Sequence, residues 1–413
     1  MTPAGLTVRA IDDDEVDRFR ANLMGVFGYD PEADPHGSER FRALVDLRRT
    51  YCAFDGADLV ATAAAFELGL SVPGGLVAMG GLTMVTVRPT HRRRGILRAL
   101  IARHLDDVRG RGEPVSGLWA SEGSIYGRFG YGVAAESDVL AIAPRPGFAH
   151  GRPVDEVAQL DDAEAADVLP RVYAAALRVR PGMFTRSAAW WRHRRFADRP
   201  DVRNGRSPRT HVVCRRGGEA TGYVVLRQKL AFEPGGMAAG TLDVEELVAL
   251  DGTAEATLWR YVHEVDLFPK VACWNAPVDA LAPWLASDRR SITRARRADT
   301  LWLRLCDVGA ALAARAYAAD GALRLEVVDP FGANGPGAST VALVVEGGVA
   351  RCEPATGAAD LSLELSALGS VYLGGVAPSV LARAGLIRGA AAAVARADRM
   401  FAWPVAPWCA EVF

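Results

Sequence analysis

The chain is expected to fold as a mixed α/β (α+β) protein built in three consecutive parts, and three observations predict this. At 413 residues it exceeds what one ordinary hydrophobic core serves, so two or three domains are expected. Apolar runs of strand length alternate with segments of helical periodicity from one end to the other. Pro144, Pro146, Gly147, Gly151 and Pro153 crowd one short stretch, which reads as a linker. Half of the residues are hydrophobic, ample apolar surface for several cores.

The first part, residues 1–150, opens on a short strand at 6–9. Asp12, Asp13 and Asp14 follow and can cap a helix running to Met24. Segments 51–54 and 59–67 flank Asp55-Gly56, a hairpin signal. The apolar run 75–87 fits a buried strand. Over 95–109 the spacing of Leu97, Leu100, Ile101, Leu105 and Val108 predicts a helix, with Gly110 at its stop. Two further strands are expected at 115–119 and 133–142. The second part, 151–297, contains an alanine-rich helix (161–178), an aromatic and basic helix (189–196) and a basic loop (199–209). Strands at 211–214, 221–227 and 242–250 and a helix at 253–266 complete it. This order loosely echoes the first part, as a degenerate duplication would. A charged stretch, 289–297, leads into the third part, 298–413. There an apolar run at 300–306 precedes strands at 322–328, 340–346 and 361–365, with helices near 307–318 and 389–402.

Composition removes several classes of function. The 48 basic against 49 acidic residues argue against a general nucleic-acid binder. No apolar stretch reaches the length of a membrane-spanning helix, and the N-terminus lacks the basic and apolar regions of a secretory signal, so a cytoplasmic protein is expected. Cys52, Cys214, Cys273, Cys306, Cys352 and Cys409 are scattered without a C-x-x-C pair, which disfavours both disulfides and zinc. The seven histidines show no metal-ligand spacing, and no metal is expected. The glycine-rich stretch from Gly332 to Gly337 opens no helix and reads as a loop between strands. Trp190-Trp191-Arg192-His193-Arg194-Arg195 reads as an interdomain face in a protein of neutral charge.

The most informative window is Met84-Val85-Thr86-Val87-Arg88-Pro89-Thr90-His91-Arg92-Arg93-Arg94-Gly95-Ile96-Leu97. A strand ends at Val87, Pro89 stops it, and a helix starts near Arg94. Unpaired N–H groups at a helix N-terminus favour an anion, and Gly95 lets a ligand approach the backbone. Guanidinium groups at Arg92 and Arg93 can add bidentate phosphate contacts, so a pyrophosphate fits. The plainer reading of a short arginine run is a solvated turn.

This window resembles the coenzyme A pyrophosphate loop of the GNAT superfamily, [RQ]-x-x-G-x-[GA]. Arg92 and Gly95 match it, while Leu97 departs from the small residue expected last. The longer stretch Pro89-Thr90-His91-Arg92-Arg93-Arg94-Gly95-Ile96-Leu97 is similar to one subgroup, the enhanced-intracellular-survival (Eis) acetyltransferases of actinobacteria. The resemblance implies acetyl-coenzyme A as cosubstrate, held by Val85, Thr86, Val87, Arg92, Arg93, Arg94, Gly95 and Ile96. It also implies two tandem GNAT-like domains, the second without the R-x-x-G loop, followed by a sterol-carrier-protein-like domain. A homohexamer belongs to the same implication. Ala367-Leu368-Gly369-Ser370-Val371-Tyr372-Leu373-Gly374-Gly375 and the aromatic chain end carry the resemblance into the last third.

Two further features bear on catalysis. Ala120-Ser121-Glu122-Gly123-Ser124-Ile125-Tyr126-Gly127-Arg128-Phe129-Gly130-Tyr131-Gly132 is a tight, irregular connection holding two tyrosines. A tyrosine in such a turn is usually half-buried packing, but a phenol can also protonate a thiolate leaving group. The family motif places the general acid at Tyr126 and leaves Tyr131 to packing. The last residues, Trp403 to Phe413, are aromatic and apolar where most termini are polar, so they are expected to dock in a groove. Desolvation there would raise the terminal carboxyl's pKa and make it a better base. Docking alone accounts for the sequence; the resemblance assigns the Phe413 carboxylate the role of general base. The reaction implied is direct attack of a primary amine on the thioester through a tetrahedral intermediate. The acceptor would be an aminoglycoside or similar polyamine, with Phe27, Asp30, Glu32 and Glu411 as substrate contacts. Acetylation of protein lysines, or lipid binding through the last domain, are the alternatives.

Overall fold

The structure, a computed structural model, describes residues 5–142, 147, 155–332 and 335–413. Most of the expected linker, and Ala333 and Asn334 of the glycine-rich loop, lie outside those residues. The chain begins with β1 (Leu6–Arg9), α1 (Val16–Phe27), α2 (Gly37–Leu44), β2 (Cys52–Asp55), β3 (Asp58–Val72), β4 (Gly75–Val87), α3 (Ile96–Gly110), β5 (Val115–Leu118) and β6 (Gly132–Ile142). It continues through β7 (Glu156–Leu160), α4 (Asp162–Leu177), α5 (Ala188–Trp190), β8 (Thr210–Arg216), β9 (Glu219–Lys229) and β10 (Thr241–Ala249). Next come α6 (Gly252–Glu264), β11 (Lys270–Pro277), α7 (Ala282–Leu285) and β12 (Ile292–Leu305). Last are α8 (Val308–Ala313), β13 (Gly321–Asp329), β14 (Gly337–Glu346), β15 (Val349–Pro354), β16 (Leu361–Glu364), α9 (Leu365–Val371), α10 (Pro378–Arg383), β17 (Ile387–Gly389) and α11 (Ala391–Phe401).

These elements form two compact units. One comprises Met1–Ala135, Thr300–Pro404 and Glu411–Phe413; the other comprises Glu136–Asp299 and Val405–Ala410. Most of the segment expected as a third part therefore shares a unit with the first 135 residues.

In the first unit β1, β2, β3 and β4 pair antiparallel in that order. The Asp55-Gly56 turn sits where the hairpin signal placed it, with Gly56 at φ 57°. β5 then runs parallel to β4, and a parallel neighbour requires a crossover, which α3 supplies. α3 buries Leu100, Ile101, Leu105 and Val108 of the stripe its sequence spacing predicts, with Ile96 buried at its start and Leu97 only half-buried. The end of β12 adds to the far side of β5, from Trp302 opposite Leu118 to Leu305 opposite Val115. A second sheet in this unit has the order β15-β14-β13-β16-β17.

The second unit repeats the first unit's core topology. β7, β8, β9 and β10 are successive antiparallel neighbours, α6 crosses over, and β11 returns parallel to β10. The last residues of β6 pair with β11 on the outer side. α4 starts on a capping box, Asp161 with Glu164, which fixes its N-terminus as expected.

Several expectations need correction. The charged stretch 289–297 runs into β12, which starts at Ile292, and Arg294 and Arg297 both reach the Asp138 carboxylate, which gives these charges a partner along a strand. The helix expected to 318 stops at Ala313, because the Ala316 N–H donates to the Pro73 carbonyl instead and Arg315 turns inward to the carbonyls of Tyr372 and Phe401. The aromatic and basic helix is one turn of α5 followed by a π-helical turn over Trp191–Arg195. Two of its basic groups make contacts within the unit: Arg194 stacks on Trp190, and Arg195 pairs with Glu246.

Glu246 sits at a bulge of β10 and is buried. It accepts from Arg186 Nη2 at 2.5 Å, from Arg195 Nη2 at 3.0 Å and from the Tyr223 hydroxyl at 2.9 Å. Burial works to raise its pKa, but Arg186 and Arg195 outweigh burial and hold it down at about 2, against an ordinary value of 4.5. A depressed carboxylate contributes stability above its unfolded pKa and loses it as pH falls through the folded one. The second unit should therefore lose stability between about pH 4.5 and pH 2. Glu246→Ala, which takes away the buried carboxylate that Arg186, Arg195 and Tyr223 share, is expected to cost about 3–5 kcal/mol at neutral pH. Chemical unfolding monitored across that range checks both; a variant as stable as the parent at pH 7 would contradict the reading.

Candidate active site

β4 and β5 pair only from Met79 opposite Val115 to Leu82 opposite Leu118, and beyond that point the two strands part. β4 stays with β3 but shifts register between Thr62 and Ala64, and Met84 there adopts φ 55°, a left-handed conformation costly for a side chain of that size. A buried polar chain holds this bulge. The Thr62 hydroxyl donates to the Met84 carbonyl at 2.9 Å and lies 2.6 Å from the Thr86 hydroxyl. Thr86 in turn donates to Asn22 Oδ1 at 3.3 Å, and Asn22 Nδ2 donates to the Leu59 carbonyl at 2.7 Å. Val85, Thr86 and Val87 are thereby set along one wall of a cleft of about 670 Å³.

The turn after β4 forms the head of that cleft. A short 3-10 turn, Pro89–His91, precedes Arg93 at φ 62° and Gly95 at φ 79°, and α3 begins at the next residue. Left-handed residues interleaved with ordinary ones aim successive N–H groups into one concavity, an anion-binding nest. The first turn of α3 contains no acidic residue and no side-chain cap, so its N–H groups are offered to a ligand rather than satisfied internally. Arg92, Arg93, Gly95 and Ile96 all line the cleft. Arg94 does not. Its guanidinium turns to Asp55 at 3.2 Å, where His91 Nε2 also lies at 3.3 Å, and this pair braces the outer side of the turn.

The matching turn of the second unit is built differently. At the head of α6 the Asp251 carboxylate accepts from the Ala254 N–H at 2.9 Å and pairs with Arg216. The helix head is thus filled by the chain's own anion.

Ser121, Glu122, Ile125, Tyr126, Arg128 and Phe129 form the other wall. The turn is tied by Phe129 N–H to the Tyr126 carbonyl and by Gly130 at φ 80°. Tyr126 is 8% exposed, and burial, with Glu122 adding to it, pushes its phenol up to about 12. Tyr131 is wholly buried, its hydroxyl 2.8 Å from that of Ser116, which also meets His104 Nε2 at 2.7 Å. Phe413 is 6% exposed, and its ring lies on β4 at the last paired steps: a Cβ on Gly81 would stand 3.2 Å from its Cε2.

The four expected substrate contacts are placed unequally. Phe27 lines the cleft at the end of α1. Asp30 caps the following turn by accepting from the Glu32 N–H at 2.9 Å, and Glu32 is exposed. Glu411 is buried within two residues of Phe413. None of these three carboxylates lines the cleft, whereas Glu122 does. Asn22 and Thr62, which hold the bulge, carry no signal in the sequence, since their partners lie tens of residues away.

The cleft offers a nest of N–H groups with Arg92 and Arg93 beside it and a bare strand edge, which fit a pyrophosphate with an extended amide arm. Among the described residues no group of His, Cys, Asp and Glu is placed to hold a metal, and no helix is long and apolar enough to cross a membrane.

Comparison with known proteins agrees with this geometry. Residues 7–134 and 182–305 each match an acetyltransferase (GNAT) domain, and residues 308–410 match a sterol carrier protein domain. An uncharacterized N-acetyltransferase of Streptomyces coelicolor is 40% identical, covering 98% of this chain and 99% of its own. The N-acetyltransferase Eis of Mycobacterium tuberculosis is 31% identical over 89% of each chain. Among solved structures, Eis1 of Mycobacterium abscessus superimposes with a TM-score of 0.85 at 31% identity, covering 98% of this chain and all of the other. A GCN5-related N-acetyltransferase of Anabaena variabilis, at 21% identity and a TM-score of 0.83, shares the fold. Two GNAT domains followed by a sterol-carrier-like domain, together with this identity over nearly the whole length, make the chain an acetyltransferase of the Eis family.

Proposed function

We propose that this enzyme moves the acetyl group of acetyl-coenzyme A to primary amines of aminoglycosides or similar polyamines, with Tyr126 as general acid and the Phe413 carboxylate as general base. The observation that carries the reading is that Tyr126 shares one cleft with the anion nest at the head of α3. Arg92, Arg93 and the N–H groups at Gly95 and Ile96 would hold the pyrophosphate, and the edge of Val85 and Val87 would pair with the pantetheine arm. The bound cosubstrate supplies an activated acetyl thioester. A backbone N–H near Val85 would stabilise negative charge on the acetyl oxygen. Tyr126, protonated across the working pH range, offers a proton to the leaving sulfur. The Phe413 carboxylate accepts the proton of the attacking amine.

Phe27 and Glu122 on the cleft wall suit a cationic acceptor with a carbon framework, and Asp30, Glu32 and Glu411 belong to the same proposal as outer contacts. So do the cytoplasmic setting, the homohexamer, and the division of the sequence at 1–150, 151–297 and 298–413. Thiol release from acetyl-coenzyme A over a panel of amines tests the reading. Aminoglycosides should turn over at least about tenfold faster in kcat/KM than a lysine peptide, a difference of about 1.4 kcal/mol in transition-state binding. Faster turnover of the peptide would move the assignment to protein acetylation, and uptake of lipid without any turnover would remove the enzymatic reading.

A further inference from the structure

The sterol-carrier-like part of the first unit reaches the back of the cofactor cleft. β13 ends at Asp329, and the next two residues bring Phe331 against both walls. Arg304, on β12 and 1% exposed, is the centre of this arrangement. Its Nη1 donates to the Phe129 carbonyl at 2.6 Å and to Asp329 Oδ1 at 3.0 Å. Its Nη2 donates to Asp329 Oδ2 at 2.5 Å and to the Phe331 carbonyl at 3.3 Å. The Phe331 N–H closes the loop on Asp329 Oδ1 at 2.9 Å. The Phe331 ring meets the Phe129 ring edge to face, centroids 4.9 Å apart, and the Arg98 guanidinium lies 4.7 Å from the Phe331 centroid. Phe129 belongs to the Tyr126 turn and Arg98 to α3, and both line the cleft.

Three glycines are required by the closeness of this packing. A Cβ on Gly130 would stand 2.1 Å from Arg304 Nη1, one on Gly132 would stand 1.8 Å from the Ser366 carbonyl oxygen, and one on Gly369 would stand 2.3 Å from the Leu303 carbonyl oxygen. The Gly130-Tyr131-Gly132 motif and the 367–375 stretch are thus two faces of one contact.

We propose that Arg304, Asp329 and Phe331 are positioning residues that set the Tyr126 turn relative to the head of α3, so that the sterol-carrier-like domain serves as a part of the catalytic centre. The inference rests on the reading of Tyr126 as the acid. The physical reason is that a turn held by a few backbone bonds has little stiffness of its own. A charge-assisted bond from a guanidinium already fixed by a carboxylate supplies that stiffness, and a misplacement of about 1 Å in a reacting group can cost about 10²-fold in rate.

A double-mutant cycle on the full-length enzyme tests it, with Arg304→Met, Tyr126→Phe and the pair together. Arg304→Met should lower kcat by about 10²-fold while the affinity for coenzyme A, read by calorimetry, changes less than about threefold. Because Arg304 acts through Tyr126, the double variant should be no slower than Tyr126→Phe alone. Wild-type kcat in a folded Arg304→Met, or losses that multiply in the pair, would overturn the proposal. Near-normal kcat in Tyr126→Phe would instead sink the acid assignment itself. Should Arg304→Met not fold, Asp329→Asn, which leaves the arginine in place but loosens its fork, enters the same cycle with an expected loss of about tenfold.

Discussion

Replacing Tyr126 by Phe should lower kcat by about 10²–10⁴-fold, the usual contribution of a positioned proton donor, with little change in the affinity for coenzyme A. The substitution removes one oxygen and leaves the ring, which packs edge to face on Tyr131 at 6.1 Å, so the turn should keep its shape. The direction of the pKa shift matters here. Burial and the nearby Glu122 carboxylate raise the phenol to about 12, so it carries its proton throughout the range in which an amine becomes neutral. The rate should then rise with pH as the acceptor loses its proton, without an alkaline fall from Tyr126 below about pH 11. Steady-state kinetics of the parent and the variant from pH 6 to about pH 10.5 check both statements. A Phe variant with parental kcat would hand the proton to another donor.

Moving the Phe413 carboxylate should be nearly as damaging, about 10²-fold or more in kcat/KM. Two variants separate the carboxylate from the ring. Removal of Phe413 takes away both and leaves Val412, 42% exposed, as the last residue. Addition of one glycine after Phe413 keeps the ring on Gly81 but carries the charge one residue further. If the carboxylate is the base, the extended chain should be as slow as the shortened one. If the ring merely docks, the extended chain should work normally, and the base would have to be sought elsewhere. Gly81→Ala offers an independent check, since its Cβ would approach the Phe413 ring to 3.2 Å and Leu68 Cδ1 to 2.7 Å.

What could be read from the sequence was mainly what is local in it. The strand, proline, arginines, glycine and helix between Val85 and Gly110 occupy consecutive residues, and the helix begins within two residues of where its apolar stripe placed it. Arg94 was legible as basic but not as turned away, because the conformations of Arg93 and Gly95 decide which guanidiniums face the cleft. Asp30 was legible as acidic, yet a residue before Pro31 is also an ordinary turn cap, and that use prevailed. The supports of the site were illegible for a different reason. Asn22, Thr62, Arg304 and Phe331 act on residues far along the chain, and no periodicity or motif announces a contact between Phe129 and Arg304. The same holds for the assembly of residues 300–404 with the first 135, which follows from pairing between β5 and β12 rather than from any pattern in either strand.

Asp251 at the head of α6 has a consequence for how the two copies respond to metabolism. A copy whose helix dipole is answered by its own carboxylate is equally robust whether nutrients are plentiful or scarce. The other copy leaves its dipole for a visitor, and mass action lends it extra resistance to unfolding only when that visitor abounds. Saturating coenzyme A should therefore raise the unfolding temperature of the first unit and leave that of the second unchanged.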